Sequence, residues 1–275
     1  MAKLRDSIVD FFTSKLKGPS SLLQSLNNHR PPVVDTEGRD TRLAGVIPEC
    51  RPENSGSLLD ELRNLSKHKL GFFPVTSSRA IEYPWFAERL RRCSQKRILD
   101  VGAGVSVLPI WLASHGAKVI TVDSHPCVRN LSSQSGWNEW GFLNYGLLDP
   151  RLESHNVSIT DFRPRDHFDY IYSVSVIEHM PRAVRIQAIA RMATLLRANA
   201  VMLLSIDLIP ETELLWNMSE GQIVDDSEAH GSLYDLRVEI ENTGLTITEC
   251  NVRREIKDSR TDIAFLIAQH SSRAS

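Results

Sequence analysis

Residues 97–109 read RILDVGAGVSVLP. A short apolar strand ends at Asp100 and gives way to two glycines, Gly102 and Gly104, with only Ala103 between them. Glycine permits a tight turn and lets a ligand approach where a Cβ would stand in the way. The helix expected from Val105 aims its amide-rich end at the same space. A dinucleotide, a phosphate, or a nucleoside with a charged tail can each use such a turn. The dinucleotide fingerprint wants a third glycine or alanine three residues after the second glycine, and Val107 stands there. The Gly-Lys-Ser/Thr ending of a phosphate loop is also absent.

Outward from this turn the chain alternates strand and helix patterns. Strands are expected at 96–102, 117–124, 155–162, 168–176, 199–208, 245–255 and 261–269. Helices are expected at 105–116, around 125–134, at 181–197 with Pro181 in its first turn, and at 232–244 ending on Gly244. Alternation of this kind gives a mostly parallel sheet covered on both faces. The last two strands have no helix between them and must pair as an antiparallel hairpin. The expected fold is therefore α/β and Rossmann-like: a doubly wound, mostly parallel seven-stranded sheet with a C-terminal antiparallel hairpin and an N-terminal helical extension.

The extension covers residues 1–76, and the sheet domain 77–275. Leu4, Ile8, Phe11, Phe12 and Leu16 fall on one helical stripe flanked by Lys3, Arg5, Lys15 and Lys17. Packing on its own domain or on a partner, a second copy included, explains this stripe better than contact with a membrane surface. Residues 28–56, rich in Pro, Gly and charge, read as an irregular connector. Helices follow at 57–68 and at 77–93, where Pro84 should end a first piece or kink the whole.

The 275 residues are 41% hydrophobic, enough for one well-buried domain plus a segment. A net charge of −2 offers no basic surplus for a phosphate backbone, which argues against a nucleic-acid partner. Cys50, Cys93, Cys127 and Cys250 show no paired spacing, which argues against a structural zinc and fits a reducing cytosol. No apolar run reaches the roughly eighteen residues of a membrane span.

Ligands of such sheets bind outside the carboxyl ends of the strands. Asp100, Asp123, Asp161 and Ser173 all lie at or just past expected strand ends. Asp123 follows the glycines by about twenty residues, where a carboxylate accepts both hydroxyls of a ribose. Asp161 is placed to take an adenine amino group while Phe162 packs on the ring.

Together, the stretch Arg97–Gln269 resembles a class I S-adenosylmethionine-dependent methyltransferase. LDVGAG is similar to that family's first motif, with Asp100, Gly102 and Gly104. Asp123 matches its ribose acid, and Asp161 with Phe162 its adenine motif. FDYIYSVSVIEHMP resembles the fourth-strand motif, including the Glu-His pair of the branch acting on small molecules (methyltransferase type 11-like). RAIEYPW, at 79–85, resembles the lead-in of some saccharide and natural-product methyltransferases. The resemblance implies a cofactor site of Asp100, Gly102, Ala103, Gly104, Asp123, Ser124, Asp161, Phe162 and Ser173. It also implies methyl transfer to an oxygen or nitrogen of a small molecule, a sugar or secondary metabolite. The stretch SVSVIE lacks the Asn/Asp-Pro-Pro-Tyr/Phe motif of the branch that methylates planar nitrogens.

An acceptor hydroxyl or ammonium must lose a proton, which calls for a base near neutral pH. His179, just past the fourth strand, is the candidate base, with Glu178 to orient it or to contact the substrate. The alternative is that the pair only organises the turn into the helix at Pro181. In the polar insertion at 209–230, Trp216 and Met218 can wall a pocket, and His230 can bind substrate or serve as base. Asp225, Asp226 and Glu228 are read as solvated acids and no metal is expected. Tyr83 is a candidate substrate contact from the N-terminal region. Two other readings compete: a nicotinamide-dependent dehydrogenase, which the missing third glycine and the final hairpin disfavour, and a catalytically inactive binding protein.

Overall fold

The structure, a computed structural model, describes residues 55–270 apart from 75–76, 132–136, 217, 220–221, 224–229, 255 and 257–258. The amphipathic stripe at 4–16, most of the 28–56 connector and Asp225, Asp226 and Glu228 lie outside the described residues. Seven strands form the main sheet: β1 Arg97–Val101, β2 Lys118–Val122, β3 Leu152–His155, β4 Phe168–Val174, β5 Leu196–Leu208, β6 Leu245–Arg253 and β7 Asp262–His270. Their spatial order is β6-β7-β5-β4-β1-β2-β3. β1 to β5 run parallel, and β7 is antiparallel to both β5 and β6. The expected seven-stranded sheet and closing hairpin are present. The strand order reverses between β1 and β4, so this is the topological switch point.

Side chains alternate across the sheet and split the core in two. Ile98, Tyr172, Leu203 and Phe265 face one cluster, covered by α1 (Ser55–Leu70), α2 (Ser77–Arg89) and α3 (Leu108–Ser114). Leu99, Ile171, Leu204 and Leu266 face the other, covered by α4 (Arg182–Leu195) and α5 (Leu233–Glu241). α1 adds Leu58, Leu62 and Leu70 to the first cluster, so this end of the N-terminal extension packs with the sheet domain. Among the described residues no helix is long and apolar enough to cross a membrane.

Three local expectations need correction, and of the two outcomes expected at Pro84 the break is excluded. α2 runs through Pro84. An interior proline costs about 3 kcal/mol. Tyr83, Trp85 and Phe86 beside it are all buried, and each large apolar side chain contributes about 1.5–3 kcal/mol, which outweighs the break. The third strand is 152–155, where Val122 pairs with His155, and not 155–162. The β-branched run after it forms a turn: the Ser158 carbonyl accepts from Asp161 N and Phe162 N at 3.0 Å, and the Ser158 hydroxyl accepts from Thr160 N. Around 125–134 the described residues hold a short strand pair instead of a helix, Val128–Arg129 beside Phe142–Leu143. Here Asp123 Oδ1 accepts His125 N and His125 Nδ1 accepts Cys127 N, two successive side-chain turns that hold the backbone out of a helix. Finally, α3 starts at Leu108 and not near Val105: Pro109 stands in its first turn, where it is tolerated, and has no N–H to bond the Val105 carbonyl.

Candidate active site

The glycine turn opens directly from β1 at the switch point. Gly102 (φ +75°) and Gly104 (φ +51°) both occupy the left-handed region. A Cβ on Gly102 would lie 2.5 Å from a methyl of Val176, and one on Gly104 would lie 2.4 Å from the carbonyl oxygen of Glu139. The bare backbone is thus required by the protein's own close approaches. Three successive amides donate inward: Gly104 N to Asp123 Oδ2 (2.8 Å), Val105 N to Glu139 O (3.0 Å) and Ser106 N to Tyr145 Oη (2.6 Å). Tyr145 Oη lies 3.1 Å from the carbonyl oxygens of both Gly104 and Ser106, its acceptors. Ala103 is buried beside them.

Asp100 is 2% exposed and accepts the Tyr172 hydroxyl at 2.8 Å, its register partner on β4. Burial pushes its carboxyl up to about 8; the Tyr172 hydrogen bond opposes this and the Asp123 charge adds to it. Asp123, the residue after β2, is half-buried. Burial raises its pKa, against the two backbone amides it accepts, Gly104 N and His125 N. Each of its oxygens takes one amide and keeps a second acceptor position, the donor geometry a vicinal diol needs.

At the sheet edge the structure departs from the expected site. Asp161 lies exposed in the Ser158 turn, six residues past the end of β3. Phe162 is buried against Phe168, with His155 5.0 Å from its ring, so its ring is part of the core. The residue that follows β3, beside Asp123, is the exposed Asn156, because Asp123 N donates to His155 O at 3.2 Å. Placing the strand too late hid Asn156. Ser124 is exposed next to Asp123. Ser173 is fully buried in β4 and donates to the Val101 carbonyl at 2.8 Å, a link between strands.

Past β4, Glu178 is 0% exposed. Its Oε1 accepts Asp207 N at 2.9 Å, and its Oε2 is buried with no hydrogen-bond partner. Burial, then the Asp207 charge, push Glu178 well above the carboxylate range. His179 is half-buried with its ring edge-on to Trp216, centroids 5.4 Å apart. Trp216 Nε1 is also buried without a partner. His230 is buried, and its Nδ1–H donates to the Glu178 carbonyl at 3.0 Å, so it braces the turn. The Arg185 guanidinium, fully buried, donates to His230 O and pairs with Glu239 through two bonds of 2.7 and 2.8 Å. Tyr83 is 2% exposed and edge-on to Phe73, with its hydroxyl pKa raised by burial.

Several residues at this rim escaped the sequence reading. Glu82, fully buried on α2, accepts the hydroxyls of Ser175 (2.5 Å) and Ser205 (2.6 Å) and pairs with Arg79. Arg79 also holds Glu139 at 3.0 Å, which ties α2 to the segment over the glycine turn. Asp207 is half-buried near the end of β5 and accepts the Thr261 hydroxyl at 3.2 Å. Burial and the Glu82 charge raise its pKa, with Arg79 opposing. The signal was present: Ser205 and Asp207 are polar, two residues apart, in an otherwise apolar strand. They share the face turned to α2.

Comparison with known proteins agrees with this geometry. Residues 78–249 match the family described as Methyltransferase domain. The histone-arginine methyltransferase METTL23 of Xenopus laevis is 32% identical over 117 residues, which cover 37% of this chain and 49% of that protein. The chain therefore spans about half the length of that curated relative. Among solved structures, the 1,6-didemethyltoxoflavin-N1-methyltransferase of Burkholderia thailandensis superposes with a TM-score of 0.50 at 14% identity, over 82% of this chain and 92% of that one. Magnesium protoporphyrin IX methyltransferase of Synechocystis PCC 6803 gives 0.49 at 15%, over 81% and 100%. With its strand order, its glycine turn at the switch point and the family match over 78–249, the chain belongs to the methyltransferase-domain family and has the class I S-adenosylmethionine-dependent methyltransferase fold.

Proposed function

We propose that this chain transfers a methyl group from S-adenosylmethionine to an oxygen or nitrogen of a small-molecule acceptor. The observation that carries the cofactor is Asp123: at the end of β2, it keeps one acceptor position on each oxygen. Those positions suit the ribose hydroxyls. Asn156 stands at the neighbouring strand end for the adenine. Asp100, buried beside the glycine turn, suits the cofactor's ammonium group. The cofactor supplies an electrophilic methyl on a sulfonium.

The chain's own work is then to place the acceptor in line, exclude water and accept a proton. Val176 packs against Gly102 and the Glu139 carbonyl against Gly104, closing the turn from two sides. His179 and Trp216, in contact past the end of β4, and Asp207, near the end of β5, are the candidates for the acceptor's side of the site. In this reading residues 77–275 carry the chemistry, and 1–76 are an appendage whose last helix packs on the sheet.

A second reading is a protein side chain as acceptor. It is favoured by the similarity to a histone-arginine methyltransferase over 117 residues. The test is transfer of a tritiated methyl from S-adenosylmethionine into a cell extract split by ultrafiltration. Label in the small-molecule fraction is expected. Label confined to protein would reverse the choice, and no label in either fraction would contradict the activity.

A further inference from the structure

The segment RAIEYPW, at 79–85, lies in α2 and carries two charged residues, Arg79 and Glu82. Spaced three apart, they share one face of the helix and pair with each other. Each also reaches one wall of the glycine turn. Arg79 Nε donates to Glu139 Oε2 at 3.0 Å, and the Glu139 carbonyl accepts Val105 N and lies against Gly104. Glu82 Oε1 accepts the Ser175 hydroxyl at 2.5 Å, and the next residue, Val176, lies against Gly102. The same oxygen accepts the Ser205 hydroxyl at 2.6 Å, which ties in β5.

This link is buried and has a firm base. Glu82 is 0% exposed, and the Arg79 side chain 14%. Trp85 and Phe86 fasten the rest of α2 to the sheet, with ring centroids 4.7 Å from Phe265 and 5.5 Å from Tyr172. Ser175 stands at φ +48°, a left-handed conformation unfavourable to a residue with a Cβ. Two bonds hold it there: its hydroxyl to Glu82 and its N–H to the Ser205 carbonyl. An arginine suits the centre of the link. Its planar fork gives one N–H to each of two carboxylates, Nε to Glu139 and Nη1 to Glu82.

We propose that Arg79 and Glu82 are positioning residues for the cofactor: through Glu139 on one side and Ser175 on the other they set the two walls of the glycine turn, which makes α2 part of the S-adenosylmethionine site. This rests on the methyl-transfer reading above and adds to it two residues that act through others. A wall that shifts carries the turn with it, because Val105 N is bonded to the Glu139 carbonyl. Walls fixed in advance favour binding, since the ligand does not have to order them.

The test uses the full chain and two mild variants. Arg79→Lys keeps the charge and loses the fork. Glu139→Ala removes one arm and keeps the main-chain carbonyl. In calorimetry each should bind S-adenosylhomocysteine about fivefold more weakly or worse, and the double variant should bind as Arg79→Lys alone does, because both changes cut the same link. Amide hydrogen exchange without ligand reads the wall itself. Val105 N should exchange about tenfold faster or more in both variants, while Val119 N, bonded to the Arg151 carbonyl at the other end of the strands, keeps its wild-type rate. A bond that merely stabilises the fold would speed both amides alike. Wild-type affinity in either variant, effects that multiply in the double variant, or a Val105 amide accelerated no more than Val119 would overturn the proposal. Failure of the wild type to bind S-adenosylhomocysteine would instead strike the methyl-transfer reading, and exchange at Val105 would then judge the link alone.

Discussion

Replacing Asp100 with Asn should move stability and cofactor binding in opposite directions. The Asp100 carboxyl is held at about 8 in the fold against an ordinary 3.8. That gap, 8 minus 3.8, is about 4 units, and at 1.36 kcal/mol per unit it sets a ceiling of about 6 kcal/mol on the folded-state cost of ionising this group. The sign follows from linkage. A folded pKa raised above the unfolded one gives stability that is complete below about 4 and is lost as pH climbs toward 8. The variant has no proton to lose, and its amide oxygen still accepts the Tyr172 hydroxyl. Its extra N–H groups, if unmatched, cost about 1–3 kcal/mol at every pH. The difference in unfolding free energy, variant minus wild type, should therefore rise by several kcal/mol between pH 5 and pH 9. Urea unfolding across that range reads it directly. Over the same range wild-type affinity for S-adenosylhomocysteine should fall as pH drops below 8, by up to tenfold per unit, because the ligand's ammonium needs the ionised carboxylate. The variant should bind about ten- to a hundredfold more weakly at pH 8, the worth of a hydrogen bond between charged groups. A flat stability difference from pH 5 to 9, or undiminished binding by the variant, would refute the reasoning.

Two further substitutions probe the frame of the site. Gly104→Ala should cost about 1–2 kcal/mol for its left-handed backbone, plus the displacement of Glu139 O from 2.4 Å. Gly244→Ala, also at positive φ but with open space around it, should show the backbone cost alone, so equal urea midpoints for the two variants would count against the close approach. Glu239→Gln leaves the buried Arg185 without its carboxylate and should cost about 3–5 kcal/mol, measured by thermal and urea unfolding; a loss below 1 kcal/mol would show the pair to be water-screened.

The sheet was legible because its strands are short apolar runs ended by turn residues, and the absence of a helix between β6 and β7 forced their hairpin. The glycine turn and Asp123 could be found because their chemistry is local. The edge strand was misplaced because Val157, Ile159 and Thr160 carry strand propensity, while the Ser158 turn that overrides it depends on hydrogen bonds. Glu82 and Arg79 stayed hidden for a different reason. They sit on a helix far upstream in sequence and reach Ser175, Ser205 and Glu139 only through the tertiary fold. His230 looked available in a polar loop, but the Glu178 carbonyl claims its Nδ1 proton.

The central claim is that the turn after β1 and the acid after β2 hold S-adenosylmethionine. Calorimetric titration of wild type and Asp123→Ala with S-adenosylhomocysteine and with NADH tests it most directly, with melting temperatures recorded because Asp123 also holds Gly104 N and His125 N. Binding of S-adenosylhomocysteine alone, weakened at least tenfold in a still-folded Asp123→Ala, is the predicted result. Binding of NADH alone, or S-adenosylhomocysteine binding untouched by the substitution, would contradict it.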